Sequence, residues 1–365
     1  MRSTLLYQIA LTLIPGIGCV QARHLLEHFE PEEIFKTSSK HLEKVEGIGS
    51  IRASGIRTFA DFEAAEQEID FLEKYNIKPL FIADDDYPKR LLHCYDAPLM
   101  LYYRGSACLN HSRIISIVGS RAHTDYGRAI TELFVEQIAQ EDVLIVSGLA
   151  YGIDAVAHAA CLKNQVQTVG VLAHGLDKIY PPHHTKMAKE MIRQGGLLTE
   201  FRRATTPDRH HFPSRNRIVA GMSDATIVIE TDIKGGSMIT AELANGYNRD
   251  VFAVPGKTTD KKSAGCNYLI KNNKAILLTD ADQLLETLGW KSQLKKKRPL
   301  TKELFLHLSP EEKIIVALLQ ENNSLTIDEI NLKSGLSSSA VAAGIINLEM
   351  QHVLRGLPGK VYQIA

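Results

Sequence analysis

Through the middle of the chain, short apolar runs alternate with amphipathic stretches. Residues 114–118, 143–146, 168–172, 225–230 and 251–254 are runs of four to six residues rich in Ile and Val, without polar alternation. That is the pattern of strands buried on both faces. Helical periodicity fills the intervals, so this block predicts a doubly wound, mostly parallel α/β sheet. Before it the pattern changes. Gly-Ile-Gly followed by three residues and Ala occurs twice, at 16–22 and 47–53, and each copy opens a stretch of helical spacing, with Ala22, Leu25, Leu26 and Phe29 in the first. Two helical hairpins with glycine turns follow. Near the other end, Ser309-Pro310-Glu311-Glu312 reads as a helix start, with serine as N-cap, proline first and glutamates in the first turn. This helix runs to about Gln320. A second spans 327–333, a third spans 337–350 after a turn at Gly335, and two apolar runs around Pro358-Gly359 close a terminal hairpin.

These patterns divide the 365 residues into a helical domain at 1–72, an α/β domain at 73–290, a linker at 291–308 and a small domain at 309–365. The composition is that of an ordinary soluble globular protein, with 44% hydrophobic and 23% charged residues. No run of eighteen apolar residues occurs, so a cytoplasmic protein without a membrane partner is the expectation. Five widely spaced cysteines, without a CxxC pair, fit reduced packing residues better than disulfides or zinc.

Lys and Arg number 42, as do Asp and Glu, which excludes a uniformly basic polyelectrolyte binder. The balance is not local, however. Residues 1–70 carry 7 basic and 11 acidic side chains, residues 291–302 carry 6 basic and no acidic ones, and 178–217 carry 9 against 3. The segment 291–302 reads as a solvated linker. The basic stretch from Lys178 to Arg217 lies among the most distinctive residues of the chain, which makes Lys178 itself a candidate anion ligand.

Each predicted strand of the middle block is followed by a glycine-bearing turn: Gly119-Ser120-Arg121, Ser147-Gly148, Ala173-His174-Gly175, the segment with Gly235-Gly236-Ser237, and Pro255-Gly256-Lys257. In an open parallel sheet these turns share the edge where ligands bind, and free N–H groups of the following helices favour anions. The first turn is not GxGxxG, and no acidic residue follows the second strand to hold a ribose, which argues against NAD or FAD. A GxxxxGK[ST] loop is absent. His158, His174, His183, His184, His210 and His211 are scattered without metal-ligand spacing and read as surface or loop residues, so no cofactor or metal is expected. From Glu200 to Arg217 five arginines (Arg202, Arg203, Arg209, Arg215 and Arg217) interleave with Phe201 and Phe212. Arginine offers forked donors to phosphate and an aromatic face stacks on any base, the mixture suited to single-stranded nucleic acid. For each residue singly, a loop anchored by the aromatics with arginines in surface ion pairs is the alternative.

The repeated glycine turns resemble tandem helix-hairpin-helix domains, and the terminal order resembles a winged helix. The net acidic charge of the first leaves open either a DNA contact or a structural, protein-docking role. The third helix of the second has no Lys or Arg, which argues against reading a major groove.

The segments IVGSR at 117–121, SGLAYGIDAVAH at 147–158, TVGVLAHGLDKIYP at 168–181, FPSRNRIVAGMSD at 212–224, GGSMITAELA at 235–244 and VFAVPG at 251–256, in this order, resemble the DprA/Smf family of DNA-processing proteins. Mild departures are Thr199 before Glu200, Gly235 where serine is common, and His184 where asparagine is common. The resemblance implies a Rossmann-like core that binds single-stranded DNA, protects it and loads RecA recombinase during natural transformation, working as a homodimer without turnover. By matching position it implies Gly119, Ser120, Arg121, Arg209 and Phe212 as strand ligands, with Arg215 and Arg217 as further candidates and Asn216 as either ligand or helix cap. From the helix-terminus argument, Gly235, Gly236 and Ser237 are expected to hold phosphate.

Two other readings compete. The Gly235–Glu242 turn also resembles that of lysine-decarboxylase-like nucleotide phosphoribohydrolases, in which Glu242 would act on a ribose and Arg121 would steady the charge. Hairpins and winged helix together would suit a double-strand DNA regulator.

Overall fold

The computed structural model describes residues 2–291, 308–322, 324–351, 353–357 and 360–364. They form two units, Met1–Trp290 and Lys291–Ala365.

The first unit opens with helices Arg2–Leu13, Cys19–Leu26, Pro31–Lys36, Ser39–Leu42, Ser50–Arg57 and Phe62–Tyr75. The sequence repeat is a structural repeat. Gly16 and Gly47 sit at φ +77° and +76°, a region that residues with a Cβ avoid, while Gly18 and Gly49 are extended N-caps of the helices that follow. Ala22 and Ala53, the last residues of each copy, are buried. Arg52 ties the two turns together, its Nε donating to the Gly16 carbonyl at 3.0 Å and its Nη1 to the Gly47 carbonyl at 2.8 Å. Ile9, Leu11, Leu25, Ile34, Leu42, Ile56 and Ile69 form the helical core, which continues into Phe81, Met100 and Tyr102.

Those last three residues belong to a nine-stranded sheet. Its strands are β1 (Lys78–Phe81), β2 (Met100–Gly105), β3 (Ile114–Val118), β4 (Leu144–Gly148), β5 (Thr168–Val171), β6 (Gly196–Thr199), β7 (Ala225–Val228), β8 (Asp250–Ala253) and β9 (Ile276–Leu277). The spatial order is β1-β2-β6-β5-β4-β3-β7-β8-β9, with β2 antiparallel to both β1 and β6 and all other pairs parallel. The five predicted strands are β3, β4, β5, β7 and β8. Of the other four, which escape a reading of apolar runs, β1 carries Pro79 at the sheet edge, β6 opens on Gly196 directly after Gly195, and β9 has two residues.

Side chains alternate across the sheet into two separate cores. Ile114, Val118, Leu144, Val146, Val169 and Val171 meet Ile218, Val219, Met238 and Ala241 on one face, from helices His211–Gly221 and Gly236–Gly246. Ile115, Ile117, Ile145 and Ile227 meet Phe134, Val135, Ile153, Ala157 and Cys161 on the other, from helices Asp125–Ile138 and Ile153–Lys163. The sheet is therefore doubly wound. From β3 the chain moves outward through β4, β5 and β6, then returns over helix His211–Gly221 to β7 on the other side of β3. That reversal leaves a crevice between the turns following β3 and β7. Cys94, Cys161 and Cys266 pack inside this unit as free thiols. Among the described residues no helix is long and apolar enough to cross a membrane.

The second unit has helices Pro310–Glu321, Ile327–Ser334 and Ser338–Met350 and strands β10 (Leu325–Thr326), β11 (Leu354–Leu357) and β12 (Val361–Ile364), in the order β10-β12-β11. The expected Ser309 cap is a reciprocal capping box with Glu312, and Thr326 makes a second with Glu329. Ile315, Leu319, Ile330, Val341, Ile345 and Leu348 fill the core. Three helices and a terminal hairpin are the expected winged-helix order. The basic residues 292–307 and the Pro358-Gly359 turn lie outside the described residues.

Candidate nucleic-acid interface

The crevice at the reversal point opens into a pocket of about 840 Å³. Its near wall is the turn after β3. The Ser120 N–H donates to the Glu230 carbonyl at 2.7 Å, and the Ser120 carbonyl accepts from Ile153 N–H at 3.1 Å, so this turn is pinned between the loops after β7 and β4. A Cβ on Gly119 would press against Ile153 Cγ1 at 2.5 Å. Arg121 extends from the pinned turn, exposed, with its guanidinium 4.5 Å from the centre of the Phe212 ring. This cation–π contact lays a forked donor on one face of the ring.

Helix His211–Gly221 supplies the opposite wall with Phe212, Arg215 and Asn216. Arg215 is only 4% exposed. Its Nη1 donates to the Val171 carbonyl at 2.7 Å, and the guanidinium lies across Gly148, where a Cβ would overlap it. Burial pushes the Asp154 carboxyl above the usual carboxylate range, against the pull of Arg215. At the rim, Asp208 accepts from His210 N–H at 2.8 Å, a bond that holds its carboxyl below the usual range.

The third part is the N-terminus of helix Gly236–Gly246, capped by extended Gly235 at φ −72°, ψ 152°. Asn216 Nδ2 donates to the Gly236 carbonyl at 3.4 Å. Ser237 is 7% exposed, and its buried hydroxyl has no partner among the described residues. Arg121, Arg209, Arg215 and Lys262 face Asp154, Asp208 and Asp232 across the lining, a surplus of one positive charge. All three carboxylates are engaged by backbone N–H groups, Asp208 by His210, Asp232 by Ile233 at 2.6 Å and Asp154 by Ala150 at 3.4 Å.

Of the twelve expected ligands, Gly119, Ser120, Arg121, Arg209, Phe212, Arg215, Asn216, Gly235, Gly236 and Ser237 line this one pocket. Lys178 and Arg217 do not. Lys178 Nζ lies 3.9 Å from Asp177. Arg217, two residues past Arg215 and so on the far side of the helix, is half-buried and paired with Glu200. Asn216 is no cap, because the helix starts five residues earlier, at His211. The expectation of surface or loop histidines fails at one position, inside helix Ile153–Lys163, and His174 is a loop residue that is nonetheless buried. His158 is fully buried, with Nε2 donating to the Gly148 carbonyl at 2.7 Å and Nδ1 2.7 Å from Thr168 Oγ1, and burial pushes it down to about 4. His174 is buried beside the Gly175 carbonyl and the Tyr180 N–H, and burial lowers it as well. Among the described residues no group of three or more His, Cys, Asp or Glu is placed to hold a metal. Tyr180, Asp154 and Lys262 line the pocket without having been singled out; Tyr180 alone carried a signal, as an aromatic ending a turn at the ligand edge.

The remaining candidates sit apart from this pocket. Glu242 is 59% exposed and 3.8 Å from Lys274, outside the lining. In the N-terminal hairpins, the Gly18 N–H is taken by Gln21 Oε1 at 3.1 Å and Arg52 is spent on the turn carbonyls.

Comparison with known proteins finds three family models along the chain. The family model described as DNA recombination-mediator protein A matches residues 78–289, a SAM-like helix-hairpin-helix tandem matches 9–61, and a DprA winged helix domain matches 301–360. The chain is 34% identical to the protein Smf of Synechocystis sp. over 98% of both chains. It is 38% identical to the DNA processing protein DprA of Streptococcus pneumoniae, over 64% of this chain and 84% of that one. Among solved structures, the X-ray structure of DNA processing protein A from Streptococcus pneumoniae superposes with a TM-score of 0.68 at 32% identity, covering 77% of this chain and 97% of that chain. A structure of DNA processing protein A from Helicobacter pylori, described as giving insight into its unique single-stranded DNA binding mode, superposes with a TM-score of 0.53 at 29% identity, covering 58% and 95%.

Proposed function

This chain belongs to the DNA recombination-mediator protein A family, the DprA/Smf group, and from that membership and the pocket's chemistry we propose that it binds single-stranded DNA in the crevice between the turns after β3 and β7. The observation that carries this is Arg121 held over Phe212 beside a helix N-terminus: a base stacks on the ring, and phosphates bind the Gly119–Arg121 turn and the Gly235–Ser237 turn. Arg209 follows the backbone at the rim. Arg215 acts from beneath, as a buried charge that shapes the floor, and Asn216 fastens the two walls. The bound strand is protected and handed to RecA by a homodimer during natural transformation, the role that the family membership supports.

No turnover enters this reading. For a phosphoribohydrolase the acting carboxylate would be Glu242, and it points to solvent beside Lys274 rather than into the pocket. A duplex regulator is disfavoured by the hairpin turns, whose donors serve the fold, and by helix Ser338–Met350, which has no Lys or Arg.

The test is a titration of the full chain with a labelled oligo(dT) strand and, in parallel, with duplex of equal length. Tighter strand binding, weakened by Arg121→Ala and by Arg209→Ala, is expected. Duplex preference, or strand affinity unchanged in both variants, would overturn the proposal.

A further inference from the structure

Lys262 lies in the loop after β8, between Asp260, whose carboxylate accepts from its backbone N–H at 2.9 Å, and helix Ala264–Lys271. That helix is docked on the loop after β7 through Gly265 N–H, which donates to the Thr231 carbonyl at 2.9 Å. The docking swings Lys262 back across the mouth of the pocket, where its Nζ donates to Ser120 Oγ at 3.3 Å. Its side chain is half-buried and has no salt-bridge partner among the described residues. The Ser120 hydroxyl donates to the Ala122 carbonyl at 3.2 Å, whereas the remaining ammonium protons of Lys262 and the buried, unpartnered Ser237 Oγ at a helix N-terminus in the same lining are donors without an acceptor.

We propose that Lys262, Ser120 and Ser237 at the N-terminus of helix Gly236–Gly246 form one phosphate subsite, separate from the Arg121–Phe212 stacking wall. It rests on the single-strand reading, in which the occupant is a phosphate of the bound strand. A nucleoside monophosphate presents the same group. The subsite joins the loops after β3, β7 and β8, so a phosphate bound there bridges three segments that the strand would otherwise touch one at a time.

The test uses the full chain, a labelled oligo(dT) strand and a salt series. Lys262→Ala is expected to weaken strand binding about tenfold and to reduce the slope of log affinity against log salt by about 0.7, the share of one phosphate contact on a single strand. Lys262→Arg is expected to stay within threefold of the parent. Lys261→Ala, a neighbouring exposed charge outside the lining, is expected to stay within twofold. Ser237→Ala, which removes only a hydroxyl, is expected to weaken binding about fivefold. Lys262→Ala within twofold of the parent would overturn the subsite. Weakened binding at an unchanged salt slope would also overturn it, since Lys262 would then only be holding its loop. If the parent chain fails to bind the strand, the single-strand reading falls, and calorimetry with thymidine 5′-monophosphate decides the subsite separately. Binding that Lys262→Ala abolishes keeps it, and absence of binding to the parent removes it.

Discussion

Replacing Gly148 with alanine would put a methyl group where the Arg215 guanidinium lies. The arginine then has two ways out, and both are costly. It can leave the Val171 carbonyl, giving up a charge-assisted hydrogen bond of 2.7 Å worth about 1.5–3 kcal/mol, or it can push β4 away from helix His211–Gly221. For a unit of this size a loss of that order lowers the melting temperature by roughly 3–6 °C. Circular dichroism of the full chain during heating measures it. Gly246→Ala, at a helical glycine with open space around it, is the control and is expected to leave the melting temperature unchanged or slightly higher. If Gly148→Ala melts within 1 °C of the parent, Arg215 is not held as described, and the buried floor of the pocket has been misread.

Stability should fall as pH drops from about 6.5 toward 4, because the unfolded chain takes up a proton at His158 that the buried folded-state imidazole, pushed down to about 4, refuses. The loss approaches about 3 kcal/mol at the lower limit, and urea melts of His158→Gln should show a flatter pH profile over that window. A thiol reagent at pH 8 should label exposed Cys108 in the native chain, and Cys94, Cys161 and Cys266 only after unfolding, since burial raises those thiols to about 11, 12 and 12; rapid native labelling of Cys161 would contradict the packing. Incubation with nucleoside monophosphates should release no free base, and a release that Glu242→Gln abolishes would restore the phosphoribohydrolase reading.

What could be read from the residues, and what could not, follows from where the information lies. Strands β3, β4, β5, β7 and β8 are buried on both faces, so each announces itself as an apolar run. Strands β1 and β2 belong to the antiparallel edge, and the N-terminal helices bury one of their faces, that of Phe81, Met100 and Tyr102, a tertiary fact that no local window holds. The same division applies to the pocket. Turns that follow strands at one sheet edge could be foreseen, because chain order dictates their convergence. Arg215 and Arg217 stand in one motif, and only the turn of the helix decides that the first faces the pocket while the second is half-buried and paired with Glu200. Lys262 reads as one of two adjacent surface lysines until the docking of helix Ala264–Lys271 on Thr231 turns it inward. Asn216 misled for a local reason: the helix begins at His211, so a residue expected at its start lies in its second turn.

In the proposed complex a base of the single strand stacks on Phe212. Ultraviolet irradiation of the full chain bound to oligo(dT), followed by proteolysis and mass spectrometry of the adducts, tests it at the level of one residue. A thymine adduct on the peptide containing Phe212 is expected, lost in Phe212→Leu while adducts elsewhere are unaffected. Adducts confined to residues 1–70 or to the second unit, with none near Phe212 or Tyr180, would contradict it.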